Sequence, residues 1–236
     1  MESRHFFAGF IVLFALFGCG RDDGKPATLN DFVSSIVSSG NSSVQMLEKV
    51  MTVEALGMQK EYFEKTYGPA KRLIGNGRQY DIGLCNVIII YDKNDSIESV
   101  ELLNISKDCT FDGKNIYLQS RADKITYSEL FGVAFDWNAK LSCYTMCGNA
   151  ADPEYGAYVD TPRVYGFVEF DATTNYEVAQ KASDDVYEYF KKKYPDEELI
   201  GGELGKIPAT EYNKIWFEKF KDIRLTGLKF GYNLQK

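Results

Sequence analysis

Histidine is all but missing from this chain: of 236 residues one is a histidine, His5, and it precedes an apolar stretch at the N-terminus. If that stretch is removed as a leader, no remaining side chain titrates near neutral pH without a large perturbation. Ser–His–Asp and Cys–His nucleophilic chemistry is then excluded, as are catalytic zinc sites built on imidazole. Basic residues are the minority, 27 against 34 acidic, for a net charge of −7. Such a balance argues against nucleic acid or anionic headgroups as partners, because both require basic patches. Cysteine is scarce, with five in all and no Cys-x-x-Cys spacing of the redox kind. Metal binding would need further Cys or His ligands, so neither a metal nor a cofactor is expected. Long apolar runs are lacking too: Phe6–Phe17 holds twelve uncharged residues, short of the ~20 that span a bilayer as a helix. Two classes survive these exclusions: binding without catalysis, and carboxylate-only chemistry such as glycoside hydrolysis.

The apolar stretch follows Arg4 and closes on Leu16-Phe17-Gly18-Cys19. A positive n-region, an apolar h-region and a small residue at the cut define a secretory signal over residues 1–18. Leu three before a cysteine and Gly directly before it resemble the bacterial lipobox, although Phe17 stands where a small residue is usual. The resemblance implies cleavage before Cys19 and a diacylglyceryl group on its thiol. Cleavage removes one acid, Glu2, and one base, Arg4, so the net charge stays at −7. Residues 19–27 read as anchor and tether, being polar and bearing Gly and Pro. Gly20 is not the Asp that resembles an inner-membrane retention signal, which favours the outer membrane.

With Cys19 lipidated, Cys85, Cys109, Cys143 and Cys147 remain. An even number in an oxidising compartment implies two disulfides with three possible connectivities. Cys85–Cys109 and Cys143–Cys147 are favoured, the first closing a hairpin-sized loop and the second a tight one.

Along the chain, Leu29, Phe32, Val33, Ile36 and Val37 keep helical spacing. Further helices are expected over Ser43–Met51 and from Thr52 or Met58 to Tyr67, where Gly68-Pro69 stops the run. Cys85–Tyr91 reads as a strand, Asp92–Asp95 as its turn, Ser96–Ile105 as its antiparallel partner and Asn115–Gln119 as a third strand. Asp92, Asn94 and Ser96 echo a calcium loop, but Ile97 stands where an EF-hand needs Gly, and a hairpin turn is the better reading. Capping boxes at Thr126–Glu129 and Thr174–Glu177 open helices, and Arg163–Phe170 reads as a strand. The second capped helix ends at Lys191–Lys193 before Pro195, Pro208 starts another, and an alternating strand covers Ile223–Leu234, where Gly227 suggests a bulge. Strand runs separated from helices point to an α+β fold with antiparallel sheet and helices on one side. Two helix-plus-hairpin lobes, 28–120 and 121–236, are preferred over one domain.

Glu61-Tyr-Phe-Glu-Lys-Thr-Tyr-Gly68-Pro69, followed by two strands with Tyr91 and an acidic turn, resembles the small α2β modules of BamE-type envelope lipoproteins and β-lactamase-inhibitor proteins. The likeness covers residues 47–105, and it departs in the added first helix and in Cys85 and Cys109. It implies a non-catalytic protein binder of the cell envelope, but its binding residues do not transfer.

Sixteen tyrosines all lie beyond the expected cut, and tyrosine is enriched at protein interfaces. The loop region Cys143–Tyr158 joins an expected disulfide to Tyr144, Asn149, Asp152, Glu154, Tyr155 and Tyr158, with the tyrosines expected to be partly exposed. It is the candidate partner-binding site. The expected protein is thus a lipid-anchored envelope component facing the periplasm. It binds a protein, as an assembly accessory or as an inhibitor or immunity protein. An envelope glycan hydrolase is the alternative, and a solute-binding lipoprotein ranks below both.

Overall fold

A computed structural model of the chain describes residues 41–140, 155–195 and 207–234. The clearest sequence signal, the β-branched run, forms strand β3 (Cys85–Tyr91), and Ile97–Leu102 returns beside it as β4. Asp92 makes the turn, its Oδ1 accepting the amides of Asn94 at 2.8 Å and Ser96 at 2.9 Å. Its carboxylate is thereby spent on the backbone, as in an Asx turn. Upstream lie helices α1 (Asn41–Val50) and α2 (Lys60–Tyr67), with a single 3-10 turn at Val53–Ala55 between them. Gly68 ends α2 at φ 90°, donating its amide to Glu64 O at 2.9 Å. Two short strands not expected from the sequence follow, β1 (Arg72–Ile74) and β2 (Gly77–Ile82), joined across Gly75 at φ 56°.

The strand expected over Asn115–Gln119 is instead a 3-10 turn, Gly113–Ile116, with Tyr117 left-handed at φ 70°. Side chains take the backbone groups a ladder would need. Asp112 accepts the Lys114 amide, and Glu48 of α1 accepts the Asp112 amide at 2.9 and 3.0 Å and Asn115 Nδ2 at 2.6 Å. Helix α3 (Tyr127–Phe131) is capped by Thr126 as expected, but the Glu129 carboxylate does not turn back on the cap. It accepts the amides of Gln119 and Ser120, at 2.6 and 2.7 Å.

Strands β5 (Asp136–Ala139) and β6 (Tyr155–Asp160) were not expected, and the strand predicted at Arg163–Phe170 is displaced to β7 (Glu169–Thr174). Helix α4 (Tyr176–Lys193) is capped one residue later than expected: Asn175 Oδ1 accepts the Val178 amide, while Thr174 is still in β7 and donates to Arg224 O. Helix α5 (Ala209–Phe220) begins after Pro208, and β8 (Gly227–Gly231) is the core of the predicted last strand. Gly227 marks close approach and not a bulge. It stands opposite Thr173 in regular register, where a Cβ would meet Thr173 Oγ1 at 2.4 Å.

The eight strands form one sheet in the order β1-β2-β3-β4-β8-β7-β6-β5, every neighbour antiparallel. With five α-helices among the described residues, the fold is α+β. The first half of the chain supplies β1–β4 and the second β5–β8, and the β4–β8 ladder joins them. The described residues fall in one compact unit.

The pleat separates two faces sharply. One cross-strand row reads Tyr80, Val87, Leu102, Leu228, Ala172, Ala157 and Ala139, all buried. The helices pack on this face: Phe63 of α2 meets Tyr80 edge-on, and Phe220 of α5 lies 5.6 Å from Tyr155. The next row, Gln79, Ile88, Glu101, Lys229, Asp171, Tyr158 and Asn138, lies on the opposite, polar face. Cys85 and Cys109 are bonded as expected, with Cα atoms 5.4 Å apart, pinning the loop after β4 to the start of β3. No helix among the described residues is long and apolar enough to cross a membrane.

Candidate functional site

On the polar face most charges are matched across strands. Glu101 stands opposite Lys229 and Lys229 opposite Asp171, which also pairs with Lys140. One row breaks this rule. Asp136 stands opposite Asp160, and Asp160 opposite Glu169, placing three carboxylates side by side on β5, β6 and β7. Like charges directly opposite each other destabilise an antiparallel pair. The Tyr158 hydroxyl donates to Asp160 Oδ1 at 2.8 Å, and the Leu234 amide donates to Glu169. Burial, together with the two acceptors Asp160 and Glu169, pushes the Tyr158 phenol far above its ordinary value, so it remains a donor.

Beside this row the chain between β6 and β7 folds into a tight loop. Thr161 Oγ1 donates to Val168 O at 2.6 Å and closes it, and Pro162 starts a 3-10 turn over Arg163–Tyr165. Gly166 and Phe167 are both left-handed, at φ 71° and 57°. That conformation is easy for Gly and costly for a bulky aromatic. It leaves the Phe167 side chain 61 % exposed, with Val164 at 78 % and Phe135, just before β5, at 81 %. Phe135, Pro162 and Phe167, with Asp160, Glu169 and Arg163, line a groove of about 370 Å³. Exposed aromatic rings next to uncompensated carboxylates suit a cation carried on an apolar group.

The residues picked from sequence are distributed differently. Tyr155 and Tyr158, expected to be partly exposed, are 1 % and 8 % exposed. The reason is the unforeseen β6, which is an interior strand flanked by β5 and β7. Tyr155 points into the helix-covered core and accepts a hydrogen bond from Ser183 Oγ at 2.8 Å, while Tyr158 lies on the polar face beside the acidic row. Cys19, Cys143, Tyr144, Cys147, Asn149, Asp152 and Glu154 lie outside the described residues. The groove sits at the end of the β5–β6 hairpin that carries Phe135 and Asp160, the end away from the 141–154 connection.

Sequence reasoning missed Phe135, Asp160, Arg163, Phe167 and Glu169. Reading 163–170 as one strand hid Phe167 in an alternating pattern. Pro162 and Gly166, four residues apart, were the available sign of a turn.

Other carboxylates are occupied structurally. Glu48, Glu129, Asp92 and Asp112 all accept backbone amides. No group of three or more His, Cys, Asp or Glu among the described residues is placed to hold a metal. A second cavity, about 270 Å³, is lined by Lys107, Asp123, Arg224 and the start of α4. The chain matches no protein-family model, no curated protein and no solved structure.

Proposed function

We propose that this chain is a non-catalytic lipoprotein of the bacterial cell envelope, held by a lipid on Cys19 with its domain facing the periplasm, and that it binds another protein. The outer membrane is the favoured location. The observation that carries the binding part is the groove with its two exposed phenylalanines beside three adjacent carboxylates. Exposed apolar side chains gathered in one groove and rimmed by polar groups mark interaction sites. The lack of histidine beyond His5 supports binding over catalysis, and so does the engagement of Glu48, Glu129, Asp92 and Asp112 with backbone amides. Assembly accessory and inhibitor or immunity protein both fit this reading, and an acidic domain suits a basic target.

Two measurements on cells test it. Metabolic labelling with a fatty-acid analogue should mark the wild-type chain and not Cys19→Ser; equal labelling of both overturns the anchor. Affinity capture of the full chain from cross-linked envelopes should retain a protein that Phe135→Ser loses. Release of soluble glycan from purified peptidoglycan, abolished by Asp160→Asn, would establish the hydrolase instead.

A further inference from the structure

The groove also has a chemistry that narrows what it receives. Asp160 and Glu169 have hydrogen-bond donors, Tyr158 and the Leu234 amide, yet neither makes an ion pair among the described residues. In the next row of the same face, two residues along β7 from Glu169, Asp171, Lys229 and Glu101 alternate in sign. The sheet therefore has the means to neutralise its acids and does not use them at Asp136, Asp160 and Glu169. Arg163 is the one cation lining the groove, and it makes no ion pair among the described residues. It leaves the lining with an excess of negative charge, to which Asp136 adds.

Phe135 and Phe167 present ring surface at the same place. Guanidinium combines the two needs: it stacks flat on aromatic rings and forks onto carboxylates, whereas an ammonium is a compact, strongly hydrated point charge. The volume, about 370 Å³, admits an extended side chain with part of its own backbone. We propose that the groove captures an arginine side chain of a protein partner, with Asp160 and Glu169 as counter-charges and Phe135 and Phe167 as stacking surfaces. This rests on the protein-binding reading and specifies its partner chemistry.

The test uses the full chain and two blocked pentapeptides, Gly-Leu-Arg-Leu-Gly and its citrulline counterpart, which keeps the shape and loses the charge. Titration followed by NMR should show the arginine peptide binding at least tenfold tighter, with shifts at Phe135 and Phe167. Asp160→Asn and Glu169→Gln, which keep the hydrogen-bond acceptors, should each weaken the arginine peptide at least fivefold and leave the citrulline peptide unchanged. Phe167→Asn, which tolerates the left-handed backbone, should weaken both. Melting curves guard against misfolding, and Asp160→Asn should melt no lower than wild type because it relieves a like-charge row. Equal affinity for the two peptides, insensitivity to both acid variants, or no binding at all overturns the arginine assignment. Loss of envelope capture in Phe135→Ser, found alongside any of those results, would leave the broader binding reading standing; no captured protein at all would sink that reading itself.

Discussion

Asn213 of α5 closes the edge of the sheet at Ala139. Its Oδ1 accepts the Ala139 amide at 3.1 Å, and its Nδ2 donates to Asn138 Oδ1 at 3.2 Å. Strand β5 is the outer strand at this end, and the next outward amide, that of Trp137, is taken by Asp136 Oδ1 at 2.8 Å. An edge left with free donors is a template for pairing with another chain. The two outward amides of β5, those of Trp137 and Ala139, are satisfied by side chains too short to extend the ladder.

Asn213→Ala should therefore cost about 1 kcal/mol for the lost hydrogen bond and expose a strand edge. Analytical ultracentrifugation should detect concentration-dependent self-association in this variant and not in Asn213→Asp, which keeps the acceptor. A variant that stays monomeric at high concentration would show that the edge is protected by something other than Asn213.

Glu48 ties α1 to the turn at Gly113–Ile116, where it accepts three hydrogen bonds from Asp112 and Asn115. Glu48→Ala should lower stability by about 1–3 kcal/mol, the cost of leaving a partly buried donor unmet. Glu48→Gln should lose less, since its carbonyl oxygen still accepts. Chemical denaturation read by tryptophan fluorescence would compare them, and equal losses would refute the role of the acceptor.

The Cys85–Cys109 bond closes a loop of sequence separation 24. A link over that length should contribute about 3 kcal/mol by restricting the unfolded chain. Denaturation of Cys85→Ala/Cys109→Ala against the oxidised protein measures it. An unchanged midpoint would mean that the buried contacts of Phe111, Ile116 and Leu118 hold the loop without the bond.

Tyr80 donates to Glu64 Oε1 at 3.0 Å and lies 3.0 Å from the Tyr91 hydroxyl. Burial is the main reason its phenol is pushed up to about 12, and the Tyr91 phenol is raised still further for the same reason. A raised folded value means that the folded state holds the proton longer. The associated stability is complete below about pH 10, where unfolded tyrosine titrates, and is lost as pH rises from there through about 12. Tyr80→Phe should be less stable at neutral pH by about 1 kcal/mol and lose stability less steeply above pH 10. Identical alkaline limbs in the two proteins would contradict this assignment.

Elements whose signals were local were legible in the sequence. The β3–β4 hairpin carried both a β-branched run and its turn residues, and α4 carried a cap, a stripe of Ala179, Ala182, Val186 and Phe190, and a proline stop. What escaped depended on distant partners. Strand β2 alternates weakly, and β6 starts with Tyr155-Gly156-Ala157, whose small residues suit the sheet because Ala172 O and Lys140 crowd Gly156. The Asn115–Gln119 segment looked extended but is held in a turn by Glu48, far back in the chain. The candidate site was least legible, because Asp136, Asp160 and Glu169 become neighbours only through two strand registers. No spacing within the chain announces them.

The place of β8 in the sheet has a consequence for the order in which the molecule can assemble. Strands β1–β4 form a run of local hairpins, and β5–β7 form another, but the strand between them, β8, is contributed from near the end of the described chain. Leu102 and Leu228 meet across that seam from opposite halves of the sequence. The loop-closure entropy of that contact must be overcome before it stabilises anything, so it is expected to form late. Without β8, β4 and β7 would both present bare edges, the two sets of strands would not be joined, and Phe230 would have no place between Val100 and Phe170. A chain crossing a membrane N-terminus first would hold those edges open until almost all of it had emerged, and it would need them shielded for that interval.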